Sequence, residues 1–172
     1  VLVMGLPNDP QERTVYYSYT NLPTTGEVNF MNKAGDKVAL QVEGKSWFDR
    51  QWGPVKHVFW EWFSLRFFDD EEVMLFAFPN ANYQDATYID AEGNTRIFSN
   101  YTYKPMKTVK VKRLAYSMGW DLNIPGIKEE HYQIVPLIEN QYNPIVNGKL
   151  GYFEAICKII NDDGTIVGYA FA

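Results

Sequence analysis

Between Val42 and Gly53 the chain reads V-E-G-K-S-W-F-D-R-Q-W-G, so two indoles, a carboxylate, a guanidinium and an amide fall within the seven residues Trp47 to Gly53. Tryptophan is large and usually covered, whereas Asp and Arg are seldom covered unless paired, and the mixture suits a polar group held in an aromatic wall. That is the composition of a ligand pocket. An acid beside indoles that exclude water keeps its proton, which a general acid requires. Asp49 is therefore the first candidate for proton transfer, with Trp47, Trp52 and Arg50 as candidate substrate contacts. A contact with Arg50 would instead favour the carboxylate, but neighbours on a strand point to opposite faces, which separates the two. The alternative reading is two core indoles beside a solvated Asp49–Arg50 turn pair.

Glu61 lies between Trp60 and Trp62 and, on a strand, shares its face with Phe59 and Phe63. It is the second candidate acid, and Trp60 and Trp62 join the candidate substrate contacts. Glu154, between Phe153 and Ala155, is a further contact of this kind; the alternative for either glutamate is pairing with an arginine or reaching to solvent. His57 follows G-P-V-K and belongs with the substrate contacts rather than the bases, because no Ser or Cys nucleophile spacing accompanies it. With two histidines and one cysteine, a metal site of imidazole and thiolate is not expected, and neither is a cofactor. The lone Cys157 is read as a buried, inert thiol. A G-x-S-x-G elbow, a P-loop and a dinucleotide fingerprint are all missing. Asn100-Tyr101-Thr102 is a glycosylation sequon, meaningful only in a secreted eukaryotic protein.

The elements that must hold these side chains are strands. Val38, Leu40 and Val42 alternate with Ala39, Gln41 and Glu43, and Val58 to Phe68 is apolar on both faces. Val73–Phe78, Ala86–Ile89, Thr95–Phe98, Thr108–Leu114, Trp120–Ile124, His131–Val135, Tyr152–Ile160 and Ile166–Phe171 continue the series. Turn chemistry separates them: D-D-E-E at 69–72, D-A-E-G-N at 90–94, N-I-P-G at 123–126 and D-D-G at 162–164. The pattern predicts an all-β antiparallel barrel or sandwich of about eight to ten strands over 15–172, after a leading segment or linker at 1–14. Val38, Leu40, Val42, Phe63, Leu75, Ile134 and Ile156 are expected in its core.

A chain of 172 residues, 46% hydrophobic, sustains one well-buried core. Its net charge of −5 and scattered basic residues argue against a nucleic-acid partner; the Lys107, Lys110, Lys112, Arg113 cluster alternates with Val109 and Val111 as the wet face of a strand. No apolar run reaches the roughly 18 to 20 residues of a membrane helix. The chain begins without Met and stops at G-Y-A-F-A, within what reads as a strand, so it is expected to be part of a longer protein.

The series V-E-G-K-S-W-F-D-R-Q-W-G, W-E-W-F-S-L-R, D-D-E-E-V-M-L, G-Y-F-E-A and G-T-I-V-G-Y, over Tyr16 to Ala172, resembles the C-terminal half of the AttH-like and carotenoid 1,2-hydratase (hydroxyneurosporene synthase) family. Its relatives include kievitone hydratase and lipocalin-like Diels-Alderases. Phe153 stands where that family often has Trp. The resemblance implies a lipocalin-like barrel, an N-terminal lipocalin-like domain as partner, and a hydrophobic small-molecule ligand bound near their junction. It also implies an enzyme of natural-product or carotenoid metabolism: a hydratase adding water to an alkene, or a cyclase. The rival class is a non-catalytic lipocalin-type carrier of a lipid, pigment or polyene.

Overall fold

The computed structural model describes residues 2–5, 13–54, 59–111, 114–145 and 150–172. These are all-β, with sixteen strands and a single 3-10 turn at Pro79–Ala81, and they form two compact units, Val1–Lys56 and His57–Ala172. No described helix is long and apolar enough to cross a membrane.

The first unit is a three-stranded antiparallel sheet in the order β1 (Leu2–Gly5), β2 (Arg13–Met31), β3 (Lys37–Trp52). Leu2–Gly5, expected in a linker, pairs with Arg13–Tyr16. The turn from β2 to β3 is built by Asn32, whose Oδ1 accepts the backbone N–H groups of Ala34 and Asp36, both at 2.9 Å. A bulge between Tyr19 and Leu22 shifts the register halfway along. Beyond it, Val28 and Phe30 face Leu40 and Val38 across the ribbon, with Val42 on the same face. Glu27 and Gln41, bonded at 2.6 Å, lie on the other. The alternation thus identifies the apolar face correctly, but not its burial. Leu40 and Val42 are 48% and 38% exposed and Val38 is half-buried, because a two-stranded ribbon has no layer of its own to cover that face.

The second unit holds a nine-stranded antiparallel sheet. Its strands are β4 (Glu61–Phe67), β5 (Glu72–Phe78), β6 (Tyr83–Ile89), β7 (Thr95–Phe98), β8 (Thr102–Pro105), β11 (Trp120–Asn123), β12 (His131–Pro136), β15 (Ile156–Ile160) and β16 (Ile166–Phe171). Their order is β7-β6-β5-β4-β16-β15-β12-β11-β8. The two edge strands are consecutive in sequence, separated only by 99–101. Three intervening residues span at most about 14 Å, whereas nine flat strands would put the edges about 38 Å apart. The sheet must curl, and Gln84 fastens the join by donating from Nε2 to the carbonyls of Ser99 and Tyr101, at 2.5 and 2.7 Å. This is a curled antiparallel sheet of the lipocalin-like kind that the resemblance implies, and of the two forms the alternation allows it is the barrel-like one.

Every second residue points inward. Leu122, Tyr132, Ile134, Cys157 and Ile159 are buried along β11, β12 and β15, with Phe63, Leu65, Val73 and Leu75 opposite. Phe63, Leu75 and Ile134 are fully covered as expected, whereas Ile156 lies on the other face of β15 and is half-buried. Burial pushes the Cys157 thiol up to about 12, consistent with an inert core sulfur. Glycine is required at the seam that joins the chain's early and late strands. Gly168 of β16 pairs with Phe67 of β4, and a Cβ there would meet the Arg66 carbonyl oxygen at 2.1 Å.

Two small antiparallel ribbons complete the unit: β9 (Thr108–Val111) with β10 (Leu114–Ser117), and β13 (Tyr142–Ile145) with β14 (Leu150–Phe153). The single strands expected over 108–114 and 152–160 are therefore each divided. The second breaks at Glu154 and Ala155, where Ala155 exchanges backbone hydrogen bonds with Ala172.

Candidate functional site

Asp49 sits on β3 opposite Ser18 of β2. Because residues two apart on a strand share a face, Trp47 lies beside it, and its Nε1–H donates to Asp49 Oδ1 at 2.7 Å. Cross-strand neighbours supply the rest. The Tyr16 hydroxyl donates to the same oxygen, and Ser18 Oγ lies 2.6 Å from it and 2.5 Å from the Tyr16 hydroxyl. Gln51, next along this face, donates to Thr14 Oγ1 at 2.9 Å. The bonds from Tyr16, Ser18 and Trp47 converge on Oδ1, which leaves Oδ2 as the oxygen open to a ligand. Gly53 closes the motif with φ +128°, and a Cβ there would sit 2.8 Å from the Arg13 carbonyl oxygen.

The opposite face of this stretch is aromatic. Tyr17 packs against Tyr19, Phe48 and Trp52 with ring centroids 5.7, 6.5 and 6.0 Å away. Arg50, paired with Tyr17, belongs to this face, so it does not bind Asp49 side by side. Trp52 belongs to it as well and is exposed, which leaves Trp47 as the indole that touches Asp49. Asp49 is itself exposed, so the desolvated acid expected between two indoles is instead an oriented carboxylate beside one. The reason is geometric: positions 47 and 49 share a face, and position 52 has the other parity.

A cavity of about 340 Å³ lies in the second unit. Its walls come from the start of β4 (Glu61, Trp62) with Phe59 and Trp60 before it, from β10 (Ala115, Tyr116, Ser117) and from Trp120 of β11. Gly151, Tyr152 and Phe153 of β14, followed by Glu154 and the terminal Ala172, complete the lining. Strand pairing brings several of these together: Phe171 opposes Ser64, so Ala172 and the first residues of β4 are neighbours. Tyr116 and Phe153 rings pack at 4.8 Å, and Phe63 meets Trp120 edge-on at 5.2 Å.

Glu61 is the acid of this cavity. Burial pushes its carboxyl up from the ordinary range, more than the Ser117 hydroxyl and the Trp120 indole hold it down. Ser117 Oγ donates to Glu61 Oε1 at 3.1 Å. The buried Trp120 indole N–H stands beside the same carboxyl and acts on it as a donor. Tyr103, raised to about 12 by burial and then by the nearby Glu61, stacks with Tyr101 and packs on Phe63.

The structure thus gathers Glu61, Trp60, Trp62 and Glu154 around one cavity and places Asp49 and Trp47 in one hydrogen-bonded group. His57 lies outside the described residues. Tyr16, Ser18, Ser117 and Trp120 were not singled out by sequence. The alternating hydroxyls of Y-Y-S-Y were the available signal for the first two, but which strand faces Asp49 depends on register. No group of metal-ligating side chains is found among the described residues.

No curated protein matches the chain. Among solved structures it is similar to kievitone hydratase from Nectria haematococca, with a TM-score of 0.72 at 22% identity, over 92% of this chain and 52% of that one. The likeness is one of fold, and the chain spans about half the length of that protein. A family profile described as AttH-like matches residues 6–172, a span that includes both the Asp49 group and the cavity. The chain belongs to the AttH-like family.

Proposed function

We propose that this chain is the catalytic half of a hydratase that adds water to an alkene of a hydrophobic small molecule, with Asp49 as the proton donor. The observation that carries the reading is the convergence of Tyr16, Ser18 and Trp47 on Asp49 Oδ1, which aims Oδ2 outward. Oδ2 gives its proton to the alkene, the more substituted carbon becomes a cation, and an indole face stabilises it. Water adds to that carbon and its surplus proton returns to the carboxylate, so the acid is regenerated. Glu61 is the second candidate acid, and Trp47, Trp52, Trp60, Trp62, Arg50, His57 and Glu154 are the candidate substrate contacts. An N-terminal lipocalin-like domain of the same protein would provide the covering layer that the ribbon lacks. Asp49→Asn is expected to lower hydration of a polyene by about a hundredfold or more, while tryptophan quenching by that polyene persists. Undiminished turnover would remove Asp49 from the chemistry.

The second reading, a lipocalin-type carrier, is favoured by the aromatic cavity, which needs no reaction to account for it. A carrier binds the polyene equally well with Asp49→Asn or Glu61→Gln and converts none. A cyclase of the same family would keep converting its polyene in the Asp49→Asn variant, because orientation rather than proton transfer accelerates that reaction.

A further inference from the structure

At the end of β4 away from Glu61, the curled sheet is closed by the loop between β11 and β12, whose Ile124 and Ile127 are buried. Three polar ties among the described residues fasten the connections that meet there. Lys128 Nζ lies 2.7 Å from Asp69 in the β4–β5 turn, and Arg96 of β7 donates from Nη2 to the Gly126 carbonyl at 2.7 Å. The third is His131 at the start of β12, with Nδ1 on Asp162 of the β15–β16 turn and Nε2 3.0 Å from Asp121 of β11. An ionised carboxylate offers only lone pairs, so both ring nitrogens must donate, and an imidazole that donates from both is protonated. Loss of that proton sets a nitrogen lone pair against an oxygen lone pair, and one of the two bonds goes. Lysine and arginine keep their charge through neutral pH, where histidine changes its own, so this tie alone answers to a proton there.

The charged surroundings of the ring are these. Glu129 and Glu130 precede it, and Glu130 Oε1 accepts the Gly126 amide. On β11, Asp121 has Lys104 of β8 at its cross-strand position, and β15 presents Lys158 opposite Val135. Asp163 follows Asp162 in the turn. Asp162 and then Asp121 raise the ring's pKa through their hydrogen bonds, against a smaller opposing effect of burial. Asp121 belongs to a strand paired on both sides, whereas Asp162 is 70% exposed in a turn, so the turn is the partner that yields. We infer that His131 is a proton-operated clamp: while protonated it holds the β15–β16 turn to the closed end of the sheet, and on losing its proton it lets Asp162 go and the turn loosens. The Lys128 and Arg96 ties keep the rest of that end in place. The hydratase reading uses none of these residues, so the clamp stands or falls apart from it.

Two glycines report on it, because the turns at 90–94 and 161–165 are built alike. Asp90 and Asn161 each accept, through Oδ1, the backbone N–H four residues on, and Gly93 and Gly164 lie at φ +86° and +78°. His131, with both nitrogens engaged, binds the second turn. In a chain carrying 13C-labelled glycine, the Cα order parameter of Gly164 is expected to fall from about 0.85 toward about 0.6 as the carbon-bound ring signal of His131 titrates, while Gly93 holds steady. Asp162→Asn keeps an acceptor but removes the charge, so it should lower the midpoint of that titration. His131→Gln should make Gly164 indifferent to pH. An order parameter at Gly164 that stays level through the whole titration overturns the inference, as does a fall that Gly93 shares or one that persists in His131→Gln. An unchanged midpoint in Asp162→Asn overturns it as well. If either variant fails to fold, the comparison of the two glycines in the unaltered chain still decides.

Discussion

Asp49 and Glu61 are both carboxylates next to tryptophans, yet their surroundings differ in kind. Asp49 is exposed and held by three side chains, whereas Glu61 is raised mainly by burial. For Glu61 the linkage sign is definite. A carboxyl whose folded-state pKa is raised contributes stability that is complete below the unfolded value, about 4.5, and is lost as pH climbs through the folded value. Glu61→Gln removes that loss, so its melting temperature relative to the unaltered chain should rise between pH 4 and pH 8. A constant difference across that range would mean that Glu61 ionises freely. Removing the Tyr16 hydroxyl tests the other carboxylate: Tyr16→Phe should slow hydration less than Asp49→Asn does and shift its pH profile, because the phenol positions the acid without replacing it. The Trp47–Asp49 bond was legible in the sequence, since i and i+2 on a strand share a face. The Tyr16 and Ser18 contacts were not, because they depend on a register that the bulge between Tyr19 and Leu22 resets.

At the level of elements, alternation located the sheet well where strands pack against one core. It missed β8 and β13, both of which contain proline, Pro105 and Pro144, a residue that argues against strand in a sequence. Pro105 is tolerated because β8 is an edge, with no further neighbour to receive its missing N–H. Two element-scale predictions follow from pairing. Gly168→Ala pushes a methyl into the Arg66 carbonyl across the β4–β16 seam and should destabilise the chain by about 3 kcal/mol, read as a shift in urea midpoint. His131 of β12 binds Asp162, in the turn between β15 and β16, through Nδ1, and Asp121 of β11 through Nε2 at 3.0 Å. These carboxylates raise its pKa, so its stabilisation is fully present below about 6.5 and fades as pH rises through the higher folded value. The melting-temperature deficit of His131→Gln should accordingly be largest near pH 6 and shrink on the alkaline side.

At the scale of the whole molecule, composition and alternation gave the all-β class, and the family profile agrees with the motif series read from sequence. Sequence could not say which apolar faces would be covered, since alternation reports a face and not what lies against it. Val28, Phe30, Leu40 and Val42 share one exposed face of the ribbon. A contiguous apolar strip of this sort binds hydrophobic dyes and promotes association. Paired Val28→Lys and Leu40→Lys substitutions should lower anilinonaphthalene sulfonate fluorescence and reduce sedimenting oligomers, without altering the melting temperature of the nine-stranded sheet. Unchanged dye binding would locate the accessible apolar surface elsewhere.

The β4–β16 seam also has a consequence in time. The residues it joins, Phe67 and Gly168, are roughly a hundred positions apart, and β4 is otherwise paired only with β5. At a synthesis rate of about 5–20 residues per second, β4 waits on the order of 5 to 20 seconds on the ribosome with one row of amides and carbonyls unclaimed. During that interval it is a free strand edge flanked by Trp62 and Phe67, the kind of surface that recruits another nascent chain. Holding such an edge is work for a chaperone, and ribosome-bound chains halted before β16 should be cut by protease within β4 to β6, where released, complete chains resist.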